Sequence, residues 1–479
     1  MDDSKFLHKM IICFALFILV GCIFYLNSWN DEFVRDDLHL IRSYTPHEII
    51  GTFIGNWDPD NHETPGYRPI TTLFNHMRYA IFGENVILHR FFLIALMACL
   101  LTILCDTFVL LGINLSVGIL ASIIVICSCN NFYHITWLTD GIHIFASLLS
   151  IASLNLSIRS YLKESNAKVV LAHLLGFLGI IARDENLALY IIAFTFPVFY
   201  SILFYERKVF KSRLIIKYIL PGLIFSILFL MLRAFFVPTA SAMLPNGFTF
   251  KMIAQLFLNL AKTFCQTFNF LGLMGWSGLF VWMSIIGILI SLGSFFGHTT
   301  HNGKVLILFC IFLLISMAPM CLFYRQNLLL NPTFFAGGIV ALSLEPVFRK
   351  GSRVIKAGLI AFLCVLIIVM FSINRISQEA LHPNSMATIF GYLEFFIVNK
   401  SSIPKERKVR ITKRLHFLGF ENFEHYTRTE FLTALNKMTR NKLPSKPKAD
   451  AIFLPKRPFL GYPPYWWVMR ISRQTYDIP

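Results

Sequence analysis

Uncharged runs long enough to cross a bilayer recur along this chain and constrain its fold more than any other feature. Between Lys9 and Asp31 there are 21 residues without Asp, Glu, Lys or Arg; between Lys304 and Arg325 there are 20, and between Lys356 and Arg375 there are 18. A hydrocarbon core of roughly 30 Å takes about 20 apolar residues at 1.5 Å of rise each. One such run fits a buried helix; several in one chain mark a membrane protein. Composition agrees, with 56% hydrophobic and 14% charged residues in a chain of 479 and a mean hydropathy of +0.63. Soluble domains carry about 25% charged residues, so the chain reads as an all-α polytopic membrane protein and not as a soluble globular enzyme. The first run, residues 10–29, exceeds a usual signal-peptide core and lacks a small-residue cleavage pattern before Asn30. It reads as a retained anchor.

Hydropathy predicts about eleven spans, near 10–29, 88–111, 114–130, 139–158, 168–182, 186–205, 215–236, 276–296, 305–324, 332–346 and 356–373. The excess of Lys and Arg in short loops orients them. With the N-terminus inside, 15 Lys/Arg fall inside, including the clusters 207–217 and 349–356, against 10 in or beside the outward loops. Residues 1–375 then form the transmembrane domain, with long outward loops at 30–87 and 237–275. Residues 376–479 form a small basic domain that an odd helix count puts outside. The tail from residue 374 holds 18 of the 43 Lys/Arg, which does not forbid this, because long domains translocate regardless of charge. Residues 405–442 look helical there, and Ala451–Leu454 and Trp466–Ile471 look like strands. The ten cysteines all lie in or beside apolar segments, so no disulfide framework or thiolate metal site is readable.

The polar groups gather at one side. The first loop holds nine of the 26 Asp/Glu and opens Asn30-Asp31-Glu32-Phe33-Val34-Arg35-Asp36-Asp37-Leu38-His39. The same topology sets Tyr67-Arg68-Pro69, His134, Asp140-Gly141, Arg183-Asp184-Glu185, Arg233 and Tyr324-Arg325-Gln326-Asn327 at the outer ends of other helices. Ionisable groups at membrane depth are costly and usually line a polar cavity. Carboxylates and arginines on one leaflet suit an anionic lipid headgroup and an acceptor that needs a general base. Solvated loop acids, helix caps and local ion pairs are the plainer readings of the same residues. Asp106, near the inner end of its helix, reads as structural.

Phe33-Val34-Arg35-Asp36-Asp37, Tyr67-Arg68-Pro69-Ile70-Thr71, Phe82-Gly83-Glu84-Asn85 and His89 resemble the first loop of GT-C superfamily membrane glycosyltransferases. The likeness is to glycosyltransferase family 39, the dolichyl-phosphate-mannose protein mannosyltransferases, and to the related TPR-bearing mannosyltransferases, without the TPR repeats. His134 to Gly141 is similar to that group's second outward loop. Arg183-Asp184-Glu185 stands where relatives often carry Lys-Glu, and Tyr324 to Pro332 resembles an Arg-Tyr-Leu-type segment with the order inverted. The resemblance covers roughly residues 1–375.

What it implies is a polyprenyl-phosphate-linked sugar as donor, a hydroxyl of a protein, lipid or glycan as acceptor, and inversion at the anomeric carbon. In that group the first acid of the pair is the base, which makes Asp36 the expected base and Asp37 an orienter or stand-in. Inverting transfer needs such a carboxylate opposite the leaving group, and the leaving phosphate needs cationic donors that arginine supplies best. Arg325 and Arg183 are the candidates for the donor phosphate; Arg68, Asp140 and Tyr67 are candidates for substrate contact. His39, His62, His134 and His143 with nearby acids could hold a divalent ion, as in some members of the superfamily, although no fixed ligand spacing marks one; no other cofactor is implied. The lipid bilayer is a partner and nucleic acid is not, since the basic tail carries no binding module. The expected setting is a bacterial inner membrane or the eukaryotic endoplasmic reticulum, with the site on the periplasmic or lumenal face. The rival classes are a lipid-linked-glycan transporter, which calls for charges through the midplane and repeat halves, and a non-catalytic scaffold.

Overall fold

A computed structural model describes residues 3–25, 33, 37–60, 66–128, 131–204, 214–237, 250–268, 301–322, 329–350, 352–379 and 404–417. The described residues are 88% helical and contain no strand. The expected span at 276–296 and the expected strands of the tail lie outside them.

Helix α1 (Asp3–Phe24) leads into a first loop that carries three helices, α2 (Asp37–Leu40), α3 (Pro46–Phe53) and α4 (Pro69–Phe82). Then come α5 (Val86–Leu110), α6 (Leu115–Cys127) and the short α7 (Phe132–Thr136). A 3-10 turn (Leu138–Gly141) runs straight into α8 (Ile142–Lys163), followed by α9 (Asn166–Ala182). A second 3-10 turn (Asp184–Asn186) opens α10 (Leu187–Phe204). Beyond it lie α11 (Leu220–Phe236), preceded by a π turn at Ile215–Ile219, and α12 (Phe250–Thr267). The last elements are α13 (His301–Leu322), α14 (Leu330–Lys350), α15 (Arg353–Glu379) and α16 (Lys405–Phe417).

Among the described residues, six stretches are long and apolar enough to cross a membrane: Phe6–Phe24, Val86–Leu110, Leu138–Lys163, Asp184–Phe204, Ile215–Phe236 and His301–Pro319. The chain is thus a multi-pass all-α membrane protein. Its outer surface fits that solvent: Ile12, Leu19 and Ile23 of α1, Ile216, Ile227 and Met231 of the π turn and α11, and Val365 and Ile368 of α15 are all exposed. An apolar face of this extent is foreign to a soluble monomer.

Helix α8 is the hub, packed on α5, α9 and α10. Its contact with α9 is built from small residues, since a Cβ on Gly179 would meet Ser150 Oγ and one on Gly176 would meet Ser153 Oγ. Between membrane helices such residues let backbones approach closely, and hydroxyls then bond across the gap. Ser153 donates to the Ala172 carbonyl at 2.7 Å and Ser157 to that of Ala193 at 2.6 Å. Helix α14 is longer than the sequence suggested. Pro332 sits in its first turn, where the missing N–H costs nothing, and Gly337 and Gly338 press against Ala121 and Phe309. At the end remote from the first loop, Asp106 pairs with Arg159 at 2.5 Å and accepts from Asn155 at 2.7 Å, as a structural acid should.

Candidate functional site

The first loop folds because its turns are self-capped. Pro46 starts α3 behind Thr45, whose side chain accepts the Glu48 N–H while Glu48 accepts the Thr45 N–H at 2.7 Å, a reciprocal capping box. Arg42 then ties Glu48 at 2.8 Å to Asp60 at 3.2 Å and lies over the Tyr44 ring. Burial alone would raise the Glu48 carboxyl, but Arg42 and Thr45 outweigh it and hold the group below the ordinary carboxylate range.

This loop is clamped to the ends of the spanning helices. Thr71 donates to the Ala182 carbonyl at 2.8 Å, and Arg68 grips Asp184 at 2.7 Å. Arg233 takes the other Asp184 oxygen at 3.0 Å, so one carboxylate joins the first loop, the α9–α10 turn and α11. Asp37, fully buried, accepts the Thr139 N–H at 2.7 Å and, more loosely, the Leu138 N–H at 3.4 Å. Arg78 donates to the Leu138 carbonyl at 2.8 Å from the other side. Its remaining buried nitrogens, Nε and Nη2, have no protein partner, and burial, partly offset by Asp37, pushes its pKa down to about 10.

At the centre of the clamp, Arg183 donates through Nε to Glu185 at 3.0 Å and through Nη2 to His143 Nε2 at 2.5 Å. Glu185 in turn meets His143 Nδ1 at 2.6 Å. Burial lowers the Arg183 value, but Glu185, Asp184 and Asp140 outweigh it, so the guanidinium is raised. Arg68 moves the other way: burial, opposed by Asp184, leaves it below its ordinary value. Below this layer Asn186 accepts from Asn331, and Ser147 donates to Asn331 at 2.6 Å, which fixes the start of α14 beside the cluster.

The structure therefore brings Asp37, Arg68, Asp140 and Arg183 to one end of the bundle, with Glu185, His134 and His143. Tyr67 stands slightly apart. Its ring stacks on Phe236 at 5.8 Å and its hydroxyl donates to the Phe53 carbonyl at 3.3 Å, so it serves as packing between the loop and α11. Asp36, Arg325 and His62 lie outside the described residues. His39 is buried in α2 and is not part of the metal-like group described below.

Arg42, Arg78 and Arg407 were not flagged by sequence. Arg78 sits in a loop helix whose mixed composition hid it. Arg407 of α16 is fully buried, forks onto Glu84 at 2.8 and 3.1 Å, and donates to the carbonyls of Asp37 at 3.1 Å and Ile41 at 2.8 Å. Its guanidinium lies 3.9 Å from the Phe33 ring centre. The only sequence signal was a basic run in the tail.

Comparison with family models, with curated proteins and with solved structures gave no match.

Proposed function

We propose that the chain is a membrane glycosyltransferase with about eleven spans that takes a sugar from a polyprenyl-phosphate donor and passes it to a hydroxyl with inversion. The observation that carries this reading is the segregation of charge. The first-loop acid Asp37 is docked on the second loop, at the same end as Arg68, Arg78, Asp140 and Arg183. Among the described residues, charged side chains of the spanning helices fall in or near their end turns and leave the middles uncharged. A transporter needs ionisable groups along its path; an enzyme working on a lipid headgroup needs them at one face.

In this reading Asp36 is the base, and Asp37 holds its backbone against the second loop. Arg325 meets the donor phosphate; it lies six residues before Asn331, whose side chain is bonded beside Glu185 through Asn186. Arg183 offers Nη1 to the same phosphate while its Nε stays on Glu185. The face is outward, periplasmic or lumenal, and α16 lies on that side with the first loop it touches. The test is sugar transfer by the full chain in liposomes supplied with purified polyprenyl-phosphate sugar. Transfer by the wild-type chain that is lost in Asp36→Asn supports the reading. Movement of the lipid-linked sugar across the bilayer without transfer replaces the enzyme with a transporter.

A further inference from the structure

His134, Asp140 and His143 each present a ligand atom, and these three atoms lie within 4.8 Å of one another. They come from one ten-residue stretch: His134 on α7, Asp140 in the 3-10 turn, and His143 one helical turn later on the same face. Proton placement makes this group more than a polar cluster. Arg183 is a donor only, so the His143 Nε2 it approaches carries a lone pair, and the ring proton sits on Nδ1, pointing at Glu185. The Nε2 lone pair also faces Asp140 Oδ1 at 3.7 Å, two acceptors turned toward each other. His134 is fully buried, and among the described residues its ring nitrogens meet no side-chain partner and nothing closer than the Asp140 backbone, while Asp140 Oδ2 has no partner either. Buried polar atoms in native proteins are nearly always satisfied, and an exception asks for a missing water or ion.

We infer that His134, Asp140 and His143 form a binding site for a divalent transition-metal ion of the zinc class. Imidazole and carboxylate donors suit zinc and its first-row neighbours better than magnesium or calcium, which prefer all-oxygen shells. Three protein ligands leave an open fourth position, the pattern of sites that act on a bound water or anion and not of closed structural sites. Glu185 supplies the outer shell: a carboxylate on the Nδ1–H of a ligating histidine fixes its tautomer and makes Nε2 a better donor. In the metal-free chain Arg183 occupies part of this space, and its Nη2 gives way while Nε stays on Glu185. Arg68, Arg183 and Arg233 are matched by Asp140, Asp184 and Glu185, so the ion's own charge draws an anionic oxygen to the open position. The inference rests on this geometry alone and stands whether or not the chain transfers sugar.

The test uses the full chain in detergent, stripped with chelator, then loaded with Zn²⁺ for elemental analysis and with Co²⁺ for visible spectroscopy. The expected result is one ion per chain retained through gel filtration, a ligand-field band typical of four-coordinate Co²⁺, and a higher Tm with Zn²⁺. His134→Phe and Asp140→Asn should lose all three effects. Because His134 bonds to no side chain among the described residues, its Phe variant should keep the metal-free Tm and elution profile of the wild-type chain. Retained ion with an unchanged Co²⁺ spectrum in both variants would place the metal on other histidines and overturn the assignment. So would a wild-type chain that retains no ion.

Discussion

The Asp37 carboxylate stands 2.7 Å from the Thr139 N–H, so an acid of the first loop caps the 3-10 turn of the second. The neighbouring Asp36 is the base in the proposed reading. Asp36→Asn is therefore expected to remove most sugar transfer, on the order of 10²–10⁴-fold for a positioned base, with little change in Tm. Asp37→Ala strands two buried N–H groups at about 1–3 kcal/mol each and should lower Tm first. Activity and melting measured on the same preparations separate the two; a normal Tm for Asp37→Ala would undo the capping role.

Asp184 has two arginine partners that differ in exposure, with Arg68 at 18% and Arg233 at 34% of the side chain. Arg68→Ala leaves a largely buried carboxylate short of its main partner and should cost about 3 kcal/mol, as broken buried pairs do. Arg233→Ala should cost about 1 kcal/mol or less, because solvent screens the more exposed pair. A double-mutant cycle with Asp184→Asn reads both couplings. Equal couplings would mean that Arg68 is as solvated as Arg233.

Arg325→Ala is expected to weaken use of the donor lipid ten- to a hundredfold, the size of a charge-assisted contact of about 1.5–3 kcal/mol. Arg325→Lys should restore only part of this, since a point charge does not reproduce the planar fork. Transfer kinetics against donor concentration provide the measurement. Unchanged kinetics in the alanine variant would make Arg325 a membrane anchor.

Glu48 gives the first loop a pH signature. Its folded carboxyl lies below the ordinary range, so the folded state binds fewer protons than the unfolded one between the two pKa values. That contribution to stability is present above the unfolded value of about 4.3 and disappears as pH falls through the folded value. The wild-type chain should therefore lose more Tm than Glu48→Gln on acidification from about pH 5 to about pH 3. Parallel losses would show that Arg42 and Thr45 do not favour the ionised form.

Topology provides a separate check. Accessibility reporters at residue 60 and residue 440 should both read outside, and one at residue 210 inside. Arg407 makes the first two mutually dependent, because α16 and the first loop are in contact. Opposite sides for 60 and 440 would remove one of the proposed spans. An inside reading at 60 would remove the outward site.

The spanning helices were legible because each is announced locally by a run of uncharged residues, and Asp106 was legible as structural from its depth. The helices inside the first loop were not foreseen, although Thr45-Pro46-His47-Glu48 spells a capping box with proline in the first position. Helix α4 escaped notice because His76 and Arg78, with Thr71, Thr72 and Asn75, interrupt its apolar pattern. In the site, Asp140 and Arg183 were visible as charges at helix ends, and His134 and His143 as nearby histidines. His134, Asp140 and His143 lie within ten residues of one another, but the arrival of Arg183 and Glu185 beside His143 depends on which helix packs on which, and no local pattern encodes it. Tyr67 was picked out with Arg68 and Pro69 as part of an outer-end motif; its ring packs on Phe229 and Phe236 of α11, a contact that the motif does not announce.

The grip of Arg407 on the Asp37 carbonyl spans a sequence separation of 370 residues. At roughly 5–20 residues per second of synthesis, the acidic loop emerges from the ribosome on the order of tens of seconds before the side chain that fastens it. During that interval Glu84 is without the arginine that forks onto it in the finished fold. The fastened end of the bundle therefore comes together late, after the last membrane segment before α16 has inserted. A chain arrested before α16 would hold its helices in the bilayer and still leave the first loop unlatched.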